Sequence, residues 1–400
     1  MRGAVPDDAQ RPSLAATVVA LGVAQIVSWG TLFYTIAVLG RAMREATGVS
    51  EIVMYAAYSA GLGISGLLAP WIGRTIDRAG GRLVLSWGSV AAAVACVLLA
   101  LVQGPVTLAI AWVAAGAAMA ATLYDPAFAT LHQLAGASYR RTVTALTLFG
   151  GFASTAFWPL SQWLLDAHGF RVAFALYAVL HLALCLPLHL AFVPRHAAPP
   201  QEDAAAGEAA PPPAAAGGRA YLWLAAALTA ASLTASALAA HMIEVLTQRG
   251  LSARDAVLVG ALIGPMQVAG RVAEFALGRL IRPILAGTLA FATMTVSLLL
   301  LTQLSGALAP ALLFAVLYGT SHGVMTIVRG VVPAELFGRS GYGALLGRLA
   351  RPQFIARAIA PAAFALLVAL DPQRTLALGV TAACGVVGWI AYQRAVGRRP

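Results

Sequence analysis

The sequence predicts an all-α membrane protein of twelve transmembrane helices, six on each side of one linker, and three observations carry that prediction. Of its 400 residues 60% are hydrophobic and only 10% charged, with a mean hydropathy of +0.81, far too apolar for a soluble domain. Its apolar runs have the length of bilayer-spanning helices, roughly 20 residues, and lack the alternation of barrel strands. One stretch, PRHAAPPQEDAAAGEAAPPPAAAGGR at 194–219, interrupts them. Its Pro, Ala, Gly and acids offer nothing to bury, so it reads as a flexible linker.

The runs fall at 14–40, 51–73, 83–102, 105–131, 142–166, 171–193, 220–247, 254–276, 284–304, 308–332, 343–369 and 374–395. The expected organisation is a six-helix unit at 1–193, the linker at 194–219 and a second six-helix unit at 220–400. The polar start, MRGAVPDDAQRPS, precedes a run too long for a signal-peptide core, so that run is expected to stay as the first membrane helix.

All 26 basic residues are arginine, against 15 acids, for a net charge of +11. They are scattered between the runs and form no basic face, which points to anionic lipid headgroups and not to nucleic acid. One set of alternate loops holds only Arg41, Arg44, Arg171, Arg249, Arg254 and Arg374, and most of the others lie in the tails, the linker and the opposite loops. The positive-inside rule then places both termini in the cytoplasm of a multi-pass cell (inner) membrane protein. The outer loops around Gly104 and Pro310 are short and uncharged, leaving no room for an enzyme domain. No P-loop, HExxH or nucleophile–base set accompanies the runs, so neither ATP nor catalysis is expected. Cys96, Cys185 and Cys384 each sit alone in an apolar run and form no disulfide or metal framework. The pairs His241-Met242 and His322-x-x-Met325 are too sparse for a soft-metal path. Neither metal nor cofactor is expected.

Between the second and third runs lies GRTIDRAGGR, residues 73–82. Gly73 is expected to let the chain leave its helix, and Gly80 and Gly81 to give a tight re-entry ending at Arg82. An ordinary positive-inside loop explains the arginines but not the acid or the glycine spacing. Through Gly73, Asp77, Arg78, Gly80 and Arg82 the stretch resembles the G-x-x-x-D-R-x-G-R-R signature of the major facilitator superfamily. It departs once, with Gly81 where a basic residue is usual. The resemblance implies the major facilitator fold: two pseudo-symmetric six-helix bundles, usually a functional monomer, rocking about a central site. It also implies that Asp77 latches the inner side onto the start of the eleventh helix, where Arg348 and Arg351 are the candidate partners. The equivalent second-half loop, GRLIRP at 278–283, lacks the acid, so a weaker latch is expected there.

Several segments further resemble the monocarboxylate transporter family and its oxalate/formate antiporter relatives: SWGTLFYTIAVL (28–39), EATGVSE (45–51), RRTVTALTLFGG (140–151), WLLDAHGFRVAF (163–174), HMIEVLTQRGLS (241–252) and GPMQVAGR (264–271). In that family the eighth-helix arginine, here Arg271, anchors a substrate carboxylate. A guanidinium makes two parallel hydrogen bonds to a carboxylate, which an ammonium cannot. An arginine so deep in an apolar helix costs at least roughly 2.5 kcal/mol without a wet cavity or a partner. The family's carboxylate one turn earlier is Gln267 here, which puts proton coupling at that position in doubt. Glu274 is spaced to pair with Arg271 on one helix face and is a candidate for proton coupling; a pair there that merely holds the bundle is the structural alternative.

Other polar residues within the runs carry two readings each. Asp125, before a proline, either bonds freed backbone or Arg140, or serves transport. His241 and Glu244 are spaced to shuttle a proton if both meet the cavity; otherwise Glu244 is interface polarity near the outer end. His322 and Arg329 share one side of the tenth helix, lining a cavity or snorkelling to headgroups. Phe33, Tyr34 and Trp158 are cavity residues by family position and packing residues otherwise. Gly61 and Gly66 are expected to permit close helix contact. Together these residues imply a secondary active transporter of a small organic anion, a carboxylate, driven by protons or exchange. A polyspecific exporter of amphipathic compounds and a non-transporting receptor of the same fold are the alternatives.

Overall fold

A backbone in lipid must satisfy its own hydrogen bonds, and this chain does so with helices. The computed structural model describes residues 12–195, 218–277, 281–338 and 342–397, and no strand occurs among them. Most of the expected linker, and Gly278 to Leu280 of the second-half loop, lie outside the described residues. Eleven apolar stretches are long enough to cross a membrane. They include α1 (Leu14–Thr47), α2 (Glu51–Ala79), α3 (Gly81–Ala100) and α4 (Pro105–Ala135). The 52-residue stretch Arg141–Phe192 is two crossings in one, α5 before and α6 after Gly169, where φ of 80° turns the chain out of helical geometry. The others are α7 (Arg219–Gln248), α8 (Ala253–Leu277), α9 (Pro283–Thr302), α10 (Leu308–Phe337), α11 (Tyr342–Leu370) and α12 (Thr375–Val396). Twelve crossings put both ends of the chain on one face, called here the terminal face.

One packing device recurs in the two halves. Where α2 crosses α4, a Cβ on Gly116 would lie 2.1 Å from the Gly61 carbonyl oxygen, and one on Gly61 would lie 2.4 Å from that of Trp112. Where α8 crosses α10, a Cβ on Gly323 would lie 2.1 Å from the Gln267 carbonyl, and one on Gly270 would lie 2.4 Å from that of Thr320. Each crossing brings backbones into contact that any larger residue would separate. Gly66, by contrast, faces open space.

The connection at 73–82 differs from the loop expected. Gly73 does not end its helix: α2 continues to Ala79, since the intervening residues all sustain helical hydrogen bonds, and the chain turns only at Gly80, with φ of 77°. Gly81 begins α3, and a Cβ there would lie 1.9 Å from Thr130 Oγ1 on α4. The departure from the family signature therefore has a local cause, because this packing leaves no room for a basic side chain.

Mid-helix prolines free the carbonyl four residues earlier, and neighbouring helices cap three of these. Pro126 frees Thr122, whose carbonyl accepts from Gln25 Nε2 at 2.7 Å. Pro265 frees Ala261, which accepts from Thr155 Oγ1 at 2.8 Å. Pro361 frees Arg357, which accepts from Ser236 Oγ at 2.8 Å. Gln25 also accepts from Trp29 Nε1 at 3.0 Å, coupling the α4 break to α1. Gln25→Leu should lose about 1–3 kcal/mol of stability by orphaning the Thr122 carbonyl, read as a lowered thermal midpoint of purified protein in detergent.

Candidate functional site

Helix α1 is irregular at its centre. Trp29–Phe33 forms a π-helical turn, a feature that concentrates at functional sites, and regular helix resumes only at Ile36. The carbonyls loosened there are held by other helices: Tyr58 donates to Phe33 at 3.1 Å and Trp158 Nε1 to Tyr34 at 3.1 Å. A ring cluster follows from this geometry. Trp29 packs against Phe33 at 4.9 Å and Tyr124 at 5.0 Å, and Tyr34 meets Trp158 edge-on at 5.9 Å. Of the expected cavity aromatics, Phe33 and Tyr34 are partly accessible. Trp158 is buried, with its ring against Gly260 of α8.

Arg271 reaches this cluster from α8. Its guanidinium donates to the Thr147 carbonyl on α5 at 2.6 Å, the same oxygen that accepts from Tyr124 Oη at 3.4 Å. The side chain is 8% exposed, and its Nε has no hydrogen-bond partner. Glu274 forms no ion pair with it among the described residues, so the expected pairing on one helix face does not occur: the guanidinium turns across the interface to α5 instead. Gln267 is buried, its carbonyl packed on Gly323.

Three more charges share this interior. Asp125 is open to solvent and lies in the field of Arg357 on α11 and Arg329 on α10. It does not cap the backbone that Pro126 frees, because Gln25 takes that role; the Arg140 side chain lies outside the described residues. His322 is stacked over Tyr318 at 6.0 Å and feels Arg271, Arg357 and Arg329. Tyr34 lies between the fields of Arg271 and Arg357. Arg329 and Arg357 thus face the Asp125 carboxylate, with no ion pair within 4 Å joining it to either among the described residues. Arg357 escaped the sequence reading, although it too is a guanidinium within an apolar helix, the physical criterion that singled out Arg271.

His241 and Glu244 lie elsewhere. They sit near the face opposite the termini, in a seam between the two halves. Glu244 on α7 pairs with Arg44 on α1 and with Arg374 at 3.0 Å. Glu51 at the start of α2 pairs with Arg44 at 3.2 Å and Arg374 at 2.9 Å. Arg374 holds a left-handed φ of 62°, the one non-glycine residue to do so among those described, a strained conformation that surrounding contacts must impose. His241 is wedged between Tyr55 and Phe364; its Nε2 meets the Pro361 carbonyl at 3.0 Å and its Nδ1 lies 3.7 Å from Glu51. The two residues therefore do not line the arginine-rich interior. Glu51, His241 and Glu244 are close enough to chelate a metal, but Arg44 and Arg374 already occupy both carboxylates. Glu51, Arg44 and Arg374 carried no sequence signal, because each stands at a helix end where charge is ordinary.

The terminal face is open by comparison. Asp77, Arg78, Arg348 and Arg351 are exposed and Arg82 is partly so; Asp77 makes no ion pair among the described residues, and Arg348 lies over the Tyr221 ring at 5.1 Å. The residues expected to form the latch are thus exposed, while the seam at the opposite end is ion-paired.

A bacterial homologue of the human lysosomal transporter Spinster, in an inward-facing and occupied conformation, matches with a TM-score of 0.75 at 12% identity, over 96% of this chain and 97% of that one. The nucleoside transporter NupG matches with a TM-score of 0.72 at 14% identity, over 96% of this chain and all 100% of that one. No protein with a curated description matches in sequence. At such identities the structures share the fold alone. The family profile described as Major Facilitator Superfamily matches residues 21–361, and with the helical architecture it shows that the chain belongs to that superfamily.

Proposed function

We propose that this secondary transporter carries a small organic anion, a carboxylate, by alternating access. The observation that carries the reading is the excess of interior positive charge: among the described residues Arg329 and Arg357 share the field of Asp125, and Arg271 lies beside the Tyr34 and Tyr124 phenols. Such charge is costly in a membrane interior unless water or an anion meets it. Arg271 spends one donor on Thr147, and the rest of its fork is available to a carboxylate. The π-turn aromatics form an apolar wall for the remainder of the cargo. The same position in the monocarboxylate transporter branch anchors the substrate, which supports assigning the chain there. The two reported relatives carry other names, a nucleoside transporter and a lysosomal-type transporter, so the anion rests on the arginines and not on kinship.

Alternating access follows from the two ends. The charged seam closes the face opposite the termini, and the exposed Asp77, Arg348 and Arg351 mark the open side. Arginine distribution makes the terminal face cytoplasmic, so the conformation is inward-facing. Closing the inner side would bring Asp77 to the start of α11 while the seam separates. Proton coupling or exchange would drive the cycle, with Asp125 the acid placed among the substrate arginines and His241 the imidazole placed in the seam. The aromatic cluster favours the second reading, a polyspecific exporter of amphipathic compounds, in which the rings and not the arginines select the cargo.

Three outcomes test the scheme. Arg271→Lys should lower carboxylate transport in proteoliposomes by about tenfold or more, the loss of one charge-assisted hydrogen bond; wild-type transport would overturn the anion reading. Arg357→Gln should raise KM about tenfold for the same anion, whereas an exporter selecting by its rings would keep its KM. Arg374→Gln should release the seam. Ser59 on α2 accepts from Ala362 N on α11 at 3.1 Å across the same interface; with the native cysteines replaced, Ser59→Cys should react with an impermeant maleimide from the outer side about tenfold faster, as for a shift of about 1.4 kcal/mol between the two conformations.

A further inference from the structure

A second site lies outside the cavity, on the lipid-facing flank of the first half. Helices α3 and α6 leave a groove of about 420 Å³ between them. Along α3, Arg82, Ser86 and Val90 line it at four-residue spacing, one helical turn apart and so on one face. Leu186 and Leu190 line it from α6, and Arg195, just beyond the end of α6, stands at the same end as Arg82. The two guanidinium groups lie in each other's field, and no acid among the described residues lines the groove. Ser86 is 8% exposed, and its hydroxyl is buried without a hydrogen-bond partner. Trp87 beside it is 65% exposed, toward the lipid.

The order of chemistry along this groove runs from paired positive charge, through a lone hydroxyl one turn deeper, to an apolar channel. We propose that it holds one anionic phospholipid of the leaflet on the terminal face, with its phosphate between Arg82 and Arg195, an ester carbonyl on Ser86, and an acyl chain along Val90, Leu186 and Leu190. A free phosphate would satisfy the arginines but leave Ser86 and the apolar length unused. The lipid would join the α2–α3 connection to the end of α6, where Gly80 already lies close to the Arg195 carbonyl, at 3.3 Å from a Cβ built there. The cavity charges belong to α4, α8, α10 and α11, so this site is separate from the cargo path.

Native mass spectrometry of the full chain in mild detergent, titrated with phosphatidylglycerol or phosphatidylcholine, tests the assignment. Phosphatidylglycerol should bind at least about fivefold more tightly, and Arg82→Gln and Arg195→Gln should each remove about fivefold, the effect of one basic residue at an anionic surface. Ser86→Ala should weaken both lipids alike, since both carry the ester. An unchanged melting temperature without added lipid identifies variants that remain folded. Equal binding of the two lipids, or unchanged binding in the double arginine variant, would overturn the proposal. So would displacement of the lipid by millimolar inorganic phosphate, which would mark a simple anion site. Binding that emerges only in Glu202→Gln/Asp203→Asn/Glu208→Gln would overturn it too, by making the linker acids the occupant.

Discussion

A carbonyl that loses its helical partner inside a bilayer must find another within the protein, since lipid supplies none. Much of the internal architecture follows from this constraint. Prolines at 126, 265 and 361 stand within α4, α8 and α11 and each leaves one carbonyl without its helical donor, and a side chain from another helix meets each one: Gln25, Thr155 and Ser236. The π-turn of α1 is handled likewise by Tyr58 and Trp158. The capping groups do more than satisfy backbone. Thr155 ties α5 to α8 across the two halves, and Ser236 fixes the turn of α11 from which Arg357 projects. The π-turn at Trp29–Phe33 thereby sits beside the arginine-rich interior, while a second at His181–Cys185 lies on α6.

Buried charge divides into two kinds with opposite energetics. In the seam, Arg44 and Arg374 balance Glu51 and Glu244, every carboxylate meeting both guanidinium groups. Removing one member of such a set is far more costly than having none, which makes the closed end a discrete state and not a graded one. In the interior the arginines outnumber the acid, and the groups are held apart. Several arginines on the face opposite the termini have structural work: Arg171 caps the end of α3 through the carbonyls of Ala100 and Val102 at 2.6 and 3.1 Å, and Arg44 and Arg374 build the seam.

How much was legible along the chain depended on the range of the interaction concerned. Helix spans were readable because hydrocarbon thickness and residue polarity act on each run by itself, and the 73–82 signature was readable because it is local. Boundaries were misjudged where polar residues continue a helix beyond the lipid, as in α2 beyond Gly73. Arg271 stood out as a charge within an apolar run, yet its partner did not: helical spacing pointed to Glu274, and packing against α5 chose Thr147.

By itself the sequence determined the apolar crossings and the positions of the glycines and prolines, since a bilayer imposes length, polarity and backbone satisfaction on each segment separately. Only the tertiary structure decided which charges meet. Arg44 and Glu244 are 200 residues apart in the chain and Glu51 and Arg374 are 323 apart, and a Coulomb interaction depends on distance in space and on the burial of both partners, neither of which sequence separation encodes.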